Sequence, residues 1–244
     1  MNSGILYGIG VGPGDPDLVT VKSARLLAEC QHVFVPKAKN TSDSLALAIA
    51  GRYLHKDVEI HKLIFPMSKS QSELDQHWAE SAVAVSKVLE NGQDACFLTL
   101  GDPLLYSTYI YLVRQLRTLL PAVQVVTVPG IMAVNAAAAL AGVPLGEGKG
   151  TVTIVPSGES KAVRKALAGG GTVALMKIGK NLETILEILK DTGTLDKAIL
   201  ISRAGLENQR VVTDLNSLPD MNKPEIGYLS LILVPEYNWG KIED

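Results

Sequence analysis

Three turns in this sequence gather glycine, an acid and small hydroxyls where a ligand could be held. The first is Gly8-Ile9-Gly10-Val11-Gly12-Pro13-Gly14-Asp15-Pro16, directly behind the apolar run Ile5–Ile9. Glycine at the carboxyl end of a strand lets backbone approach a ligand closely. The spacing is not that of a dinucleotide fingerprint. Counted from Gly8, the third glycine of G-x-G-x-x-G falls on Pro13; counted from Gly10, it falls on Asp15. Proline also lacks the amide that a phosphate would use. A bare turn is the alternative reading.

The second turn, Leu100-Gly101-Asp102-Pro103-Leu104-Leu105-Tyr106-Ser107-Thr108, follows the apolar run Ala95–Leu100. In open α/β sheets ligands bind beyond the carboxyl ends of strands, which is where this segment falls. Alternatively, Asp102 caps the helix that follows. The third turn, Val128-Pro129-Gly130-Ile131-Met132-Ala133, leads into Ala136–Ala141, a helical stretch of nearly all small residues. Such a helix packs closely on a ligand, on a partner or simply in a core.

Other chemistries lack their marks. Gly148-Lys149-Gly150 has neither the upstream glycine nor the hydroxyl of a P-loop, and no HExxH, CxxC or GxSxG occurs. Cys30-Gln31-His32 offers two metal-ligating types, but the start of a strand is the plainer reading. His55 and His61 flank an apparent edge strand and are expected to be solvated. Lys37, Lys39, Arg52 and Lys62 read first as surface charges.

These turns need strands and helices to position them, and the sequence alternates the two. Strands are expected at Ile5–Ile9, His32–Val35, Val58–Phe65, Ala95–Leu100 and Val123–Val128. Helices are expected behind Thr20, over Ser44–Leu54, along Leu74, Trp78, Ala82, Val85 and Leu89 up to Gly92, and over Ile110–Leu120. That alternation predicts a mostly parallel sheet with helices on both faces. Further on, Thr151–Val155, Thr172–Met176 and Lys197–Ser202 read as strands between the helical patterns Lys161–Ala168 and Leu182–Leu189. Arg210–Thr213 and Ile226–Val234 follow with a short connection, so a second, mixed sheet is expected. The glycine-rich stretch from Gly142 to Gly150 sets the expected boundary, giving domains 1–142 and 143–244.

Composition supports a packed globule: 244 residues, 47% hydrophobic and 20% charged. A formal net charge of −2 gives no basic field for nucleic acid or a membrane surface. The apolar stretch Ala133–Leu145 falls short of the ~20 residues that cross a bilayer. Met1-Asn2-Ser3-Gly4 carries no basic leader, and two cysteines, Cys30 and Cys96, build no disulfide framework. A cytoplasmic protein is expected.

Taken in order, GIGVGPGDPDLVTVKSARLL, TLGDPLLYST and VPGIMAVNAAAALAGVPL resemble the tetrapyrrole methylase family, and the resemblance spans nearly the whole chain. It implies two α/β domains with the active-site cleft between them, S-adenosylmethionine as methyl donor, a tetrapyrrole acceptor and a homodimer. Carried over by motif, the implied cofactor contacts are Pro13, Leu100, Gly101, Asp102, Leu105, Ser107, Thr108, Met132 and Ala133. Met176 and Ala204 are further implied contacts in the second domain; related patterns often carry glycine at the latter place. Asp102 is then a cofactor anchor rather than a base, and Tyr106 is the candidate base. Lys37 and Lys39 are candidates for the acceptor's carboxylates. Within the family, Val35-Pro36-Lys37 with the serines beyond it, and Phe65-Pro66-Met67, are similar to the enzymes that methylate carbon 20 of precorrin-2 or cobalt-factor II in cobalamin biosynthesis. Another corrinoid carbon, ribosomal RNA, the diphthamide precursor, or a non-catalytic tetrapyrrole- or nucleotide-binding module are the alternatives.

Overall fold

The structure, a computed structural model, describes residues 3–37, 44–66, 70–220, 226–227 and 229–237. The chain divides into two compact units, Met1–Met132 and Ala133–Asp244.

The first unit is built on five strands: β1 (Ile5–Gly10), β2 (His32–Lys37), β3 (Glu59–Ile64), β4 (Ala95–Thr99) and β5 (Gln124–Val128). All pair in parallel, in the order β3-β2-β4-β1-β5. Every residue of β4 is buried, as a strand covered on both faces requires. Four helices cover the sheet: α1 (Val21–Glu29), α2 (Leu45–Ala50), α3 (Gln71–Glu90) and α4 (Tyr109–Leu119). One face packs Leu6, Phe34 and Phe97 against Leu89 of α3 and Tyr109, Leu112 and Leu116 of α4. The other packs Ile9, Val33 and Leu98 against Leu27 of α1 and Ala46 and Ile49 of α2. Each large apolar side chain so buried contributes about 1.5–3 kcal/mol.

Local signals fix the ends of these helices. Thr20 caps α1 by accepting from Ser23 N at 3.2 Å. Gly92 follows α3 at φ +75°, the left-handed turn that glycine adopts without strain. The helix expected over Ser44–Leu54 is α-helical only to Ala50, and one 3₁₀ turn, Gly51–Tyr53, completes it. Trp78 of α3 stacks on Tyr111 of α4, with centroids 4.2 Å apart and planes 2° from parallel.

The second unit carries α5 (Ala133–Ala141), β6 (Val152–Pro156), α6 (Ser160–Ala168), β7 (Thr172–Met176), α7 (Leu182–Asp191), β8 (Ile199–Ser202), β9 (Arg210–Val212) and β10 (Ser230–Val234). Its sheet order is β6-β7-β10-β8-β9; β6 and β7 run parallel, and β10 is antiparallel to both its neighbours. The final strand is shorter than the expected Ile226–Val234. One face holds α6 and α7 over Leu175, Leu200 and Ile232. The other holds α5, whose Val134, Ala136, Ala137 and Ala138 lie on Ala174, Ile201, Leu231 and Leu233. The division therefore falls at Met132/Ala133 rather than at the 142/143 suggested by glycine content. The small residues of α5 pack on the second sheet, and a glycine-rich turn after a helix need not end a domain.

Candidate functional site

Topology converts three separate turns into one. The loops after β1, β4 and β5 leave three strands that are neighbours in the sheet, so their glycines meet beyond the carboxyl ends. Gly12 and Gly101 form an antiparallel bridge, with Gly101 N donating to Gly12 O at 2.7 Å. Gly130 lies against both other loops: a Cβ there would stand 2.2 Å from Gly101 O and 2.8 Å from Gly10 Cα. A Cβ on Gly10 would come within 2.6 Å of Gly130 N. Three backbones pack here with no room for a side chain at Gly10 or Gly130. Ser23 of α1 ties the first loop down, its hydroxyl donating to Gly10 O at 3.4 Å.

Asp102 joins the second loop to the third. Its Oδ2 accepts from Gly130 N at 3.1 Å, and its Oδ1 accepts from Leu104 N at 2.8 Å. It does not cap α4, whose cap position, Thr108, makes no side-chain bond to the helix. Beneath the loop, Thr99 and Ser107 hydroxyls are paired at 2.8 Å, and Ser107 Oγ accepts from Tyr109 N at 3.1 Å. Tyr109 OH lies 2.8 Å from Thr127 Oγ1, and burial pushes its phenol above the usual range. This chain of bonds crosses from β4 through α4 to β5 and braces the strand ends that carry the second and third loops. Ser107, placed beside the cofactor by resemblance, has its hydroxyl turned into the protein.

The space beside Gly101 is open. A Cβ there would meet only Ile131 O, at 4.0 Å, although φ is +69°. Pro13 is buried, while Leu100, Asp102, Leu105, Thr108 and Met132 are half-buried around these loops. Tyr106 is 42% exposed and held at φ +53°, a conformation few non-glycine residues adopt. Lys37 ends β2 at the same end of the sheet, half-buried; Lys39 and Met67 lie outside the described residues.

In the second unit, Ala204 is buried in the same apolar cluster against which Ala133 and Met176 pack. Two of its loops are strained: Lys177, after Met176, has φ +59°, and Arg203, before Ala204, has φ +55°. Ser157 stabilises the first by donating to Lys177 O at 2.8 Å.

Some features escaped the sequence. Gly8 serves packing, since a Cβ there would sit 2.2 Å from the Tyr109 ring. Cys30 and His32 do not converge as ligands, because Cys30 Sγ faces the carbonyl oxygens of His32 and Asp94. His61, expected to be solvated, is half-buried within β3 and stacks on Phe34 at 4.5 Å. Among the described residues, no helix is long and apolar enough to cross a membrane.

A parallel sheet whose adjacent strand ends carry glycine loops, followed by a mixed α/β unit, defines a two-unit α/β protein with three glycine loops gathered beyond the carboxyl ends of neighbouring strands. The family model of the tetrapyrrole (corrin/porphyrin) methylases matches residues 5–219, and the chain belongs to that family. It is 33% identical to the cobalt-precorrin-2 C(20)-methyltransferase of Salmonella typhimurium over 95% of this chain and 96% of that protein. It is 35% identical to a probable cobalt-precorrin-2 C(20)-methyltransferase of Methanocaldococcus jannaschii, over the same shares of each chain. The crystal structure of a cobalt precorrin-4 methyltransferase shares the fold, with a TM-score of 0.74 at 22% identity, covering 95% of this chain and 94% of that one.

Proposed function

We propose that the protein transfers a methyl group from S-adenosylmethionine to carbon 20 of a tetrapyrrole, cobalt-factor II or precorrin-2, in cobalamin biosynthesis. The observation that carries this reading is the extent of the likeness. Relatives named for C(20) methylation match 95% of the chain, at 33% and 35% identity.

The residues fit such a donor. The glycine loops offer bare backbone and an open space beside Gly101, suited to an adenosyl group held by main-chain and apolar contacts. Leu100, Gly101, Asp102, Leu105, Thr108 and Met132 of the first unit are the proposed holders, with Pro13 and Ser107 supporting the loops. Resemblance adds Ala133, Met176 and Ala204 in the second unit. When bound, S-adenosylmethionine supplies an electrophilic methyl on a sulfonium sulfur. Alignment of donor and acceptor with exclusion of water contributes about 7–11 kcal/mol of such a barrier. Asp102 acts by fixing the loops that hold the donor, and Tyr106 is the proposed acceptor of the proton released at carbon. Lys37 and Lys39 are proposed for the tetrapyrrole carboxylates. A cytoplasmic homodimer completes the reading: both cysteines are free and buried, as in a reducing compartment, and light scattering on purified protein tests the dimer.

The deciding assay offers precorrin-2 and cobalt-factor II in parallel, under nitrogen, with S-adenosylmethionine, and reads the products by mass spectrometry. One added methyl on either acceptor, mapped to carbon 20, supports the reading, and the faster acceptor identifies the substrate. Donor binding without methylation of either acceptor overturns the carbon-20 assignment.

A further inference from the structure

At the end of the first sheet opposite the glycine loops, parallel pairing places three ligand-bearing side chains together. His32 opens β2 and lies in register with Glu59, which opens β3; Phe34 lies in register with His61. Residues two apart on a strand share a face, so Glu59 and His61 point the same way, as do His32 and Phe34. The result is a pair of ring nitrogens, each facing one oxygen of the Glu59 carboxylate. His32 Nδ1 is 3.2 Å from His61 Nε2 and 3.5 Å from Glu59 Oε2, and His61 Nε2 is 3.6 Å from Glu59 Oε1. Among the described residues, this is the one group of three or more such side chains whose donor atoms all converge within 4.8 Å.

We propose that His32, Glu59 and His61 form a binding site for a divalent transition-metal ion of the zinc type, remote from methyl transfer. The spacing supports it. Tetrahedral zinc with bonds of about 2.0–2.2 Å holds its ligand atoms about 3.3–3.6 Å apart. The two ring nitrogens are 3.2 Å apart, and each has a different Glu59 oxygen in that range, Oε2 for His32 at 3.5 Å and Oε1 for His61 at 3.6 Å. Two imidazoles and one carboxylate select Zn²⁺, Co²⁺ or Ni²⁺ over Mg²⁺ or Ca²⁺, which prefer oxygen throughout. Three protein ligands leave one position for water, on the open side where the Glu59 side chain is 65% exposed.

The site is preorganised. The His61 ring is stacked on Phe34 with planes 20° apart, and the His32 side chain is only 12% exposed. Without an ion, the facing nitrogens form one N–H···N bond. With one, both present lone pairs, and the ring protons sit on His32 Nε2 and His61 Nδ1. The ion would clamp edge strand β3 to β2, so its role is structural.

The test is calorimetric titration of the full chain, stripped with chelator, with Zn²⁺. Wild type should bind one ion per chain, with a rise in Tm that Mg²⁺ does not reproduce. His61→Phe, which keeps a ring on Phe34, and Glu59→Gln, at an exposed position, should each weaken binding at least ~10-fold. Co²⁺ bound to wild type should show visible tetrahedral bands that both variants lose. Retained S-adenosylhomocysteine binding and an unchanged circular dichroism spectrum establish that the variants fold. The proposal is overturned if wild type does not bind Zn²⁺, if both folded variants bind it as tightly as wild type, or if Mg²⁺ competes equally.

Discussion

The carboxylate of Asp102 accepts the backbone N–H of Gly130 at 3.1 Å, so a residue after β4 holds the turn after β5 across 28 positions of sequence. Asp102 is thereby a fastener between two of the three glycine loops. Asp102→Ala leaves the N–H groups of Gly130 and Leu104 without their partner, at a cost of about 1–3 kcal/mol, the lower end because Asp102 is half-exposed. Asp102→Asn keeps one oxygen acceptor and should fall between alanine and wild type. S-adenosylhomocysteine affinity should drop ~10-fold in the alanine variant, equivalent to about 1.4 kcal/mol. Unchanged affinity by calorimetry would remove these loops from the donor site.

Gly130→Ala forces a methyl to within 2.2 Å of Gly101 O and 2.8 Å of Gly10 Cα, both backbone atoms that cannot rotate away. The loops must separate, so the variant should lose measurable S-adenosylhomocysteine binding and melt well below wild type. Gly158→Ala is the control. Nothing lies within 4 Å of its Cβ position, and φ there is not positive. That variant should melt with wild type and bind as wild type does; equal behaviour of the two variants refutes the packing argument.

How far the sequence reached depended on the range of the forces involved. The first sheet's five strands and their order in the chain follow from local runs such as Ala95–Thr99, and the Thr20 cap from its spacing to Ser23. The three loops were visible one by one, but the order β4-β1-β5 that makes them neighbours is non-local. The same is true of Asp102, for which a ligand loop and a helix cap were both open locally, while its partner is Gly130. The packing role of Gly8 was hidden because the Tyr109 ring that needs the space arrives from another element. His61 looked like a solvated edge residue because the Phe34 stack depends on parallel register.

Tyr109 gives a pH signature. At neutral pH its buried phenol is paired with Thr127, so Tyr109→Phe should cost about 0.5–1.5 kcal/mol. Burial raises the folded-state pKa above the ordinary 10.0, so above pH 10 the unfolded chain loses this proton first. Stability tied to Tyr109 is therefore full below pH 10 and declines as pH rises through the folded-state value. The phenylalanine variant lacks that decline, and its deficit should shrink in urea unfolding above pH 10. A constant deficit at both pH values would mean that the phenol is not desolvated.

Lys37 tests the acceptor side. It ends β2, next to β4 in the sheet, and its carbonyl accepts from Phe65 N at 2.9 Å, which anchors the backbone while the side chain stays half-buried at the loop end of the sheet. A charged hydrogen bond to a tetrapyrrole carboxylate is worth about 1.5–3 kcal/mol, so its loss raises KM roughly tenfold or more. Lys37→Glu adds repulsion to that loss, while Lys37→Arg retains the charge and should stay near wild type. S-adenosylhomocysteine affinity should be equal in all three proteins, because the glycine loops do not depend on this side chain. A KM unchanged by the charge reversal would leave Lys37 an ordinary surface lysine and move the search for the carboxylate site to other cations around the loop ends.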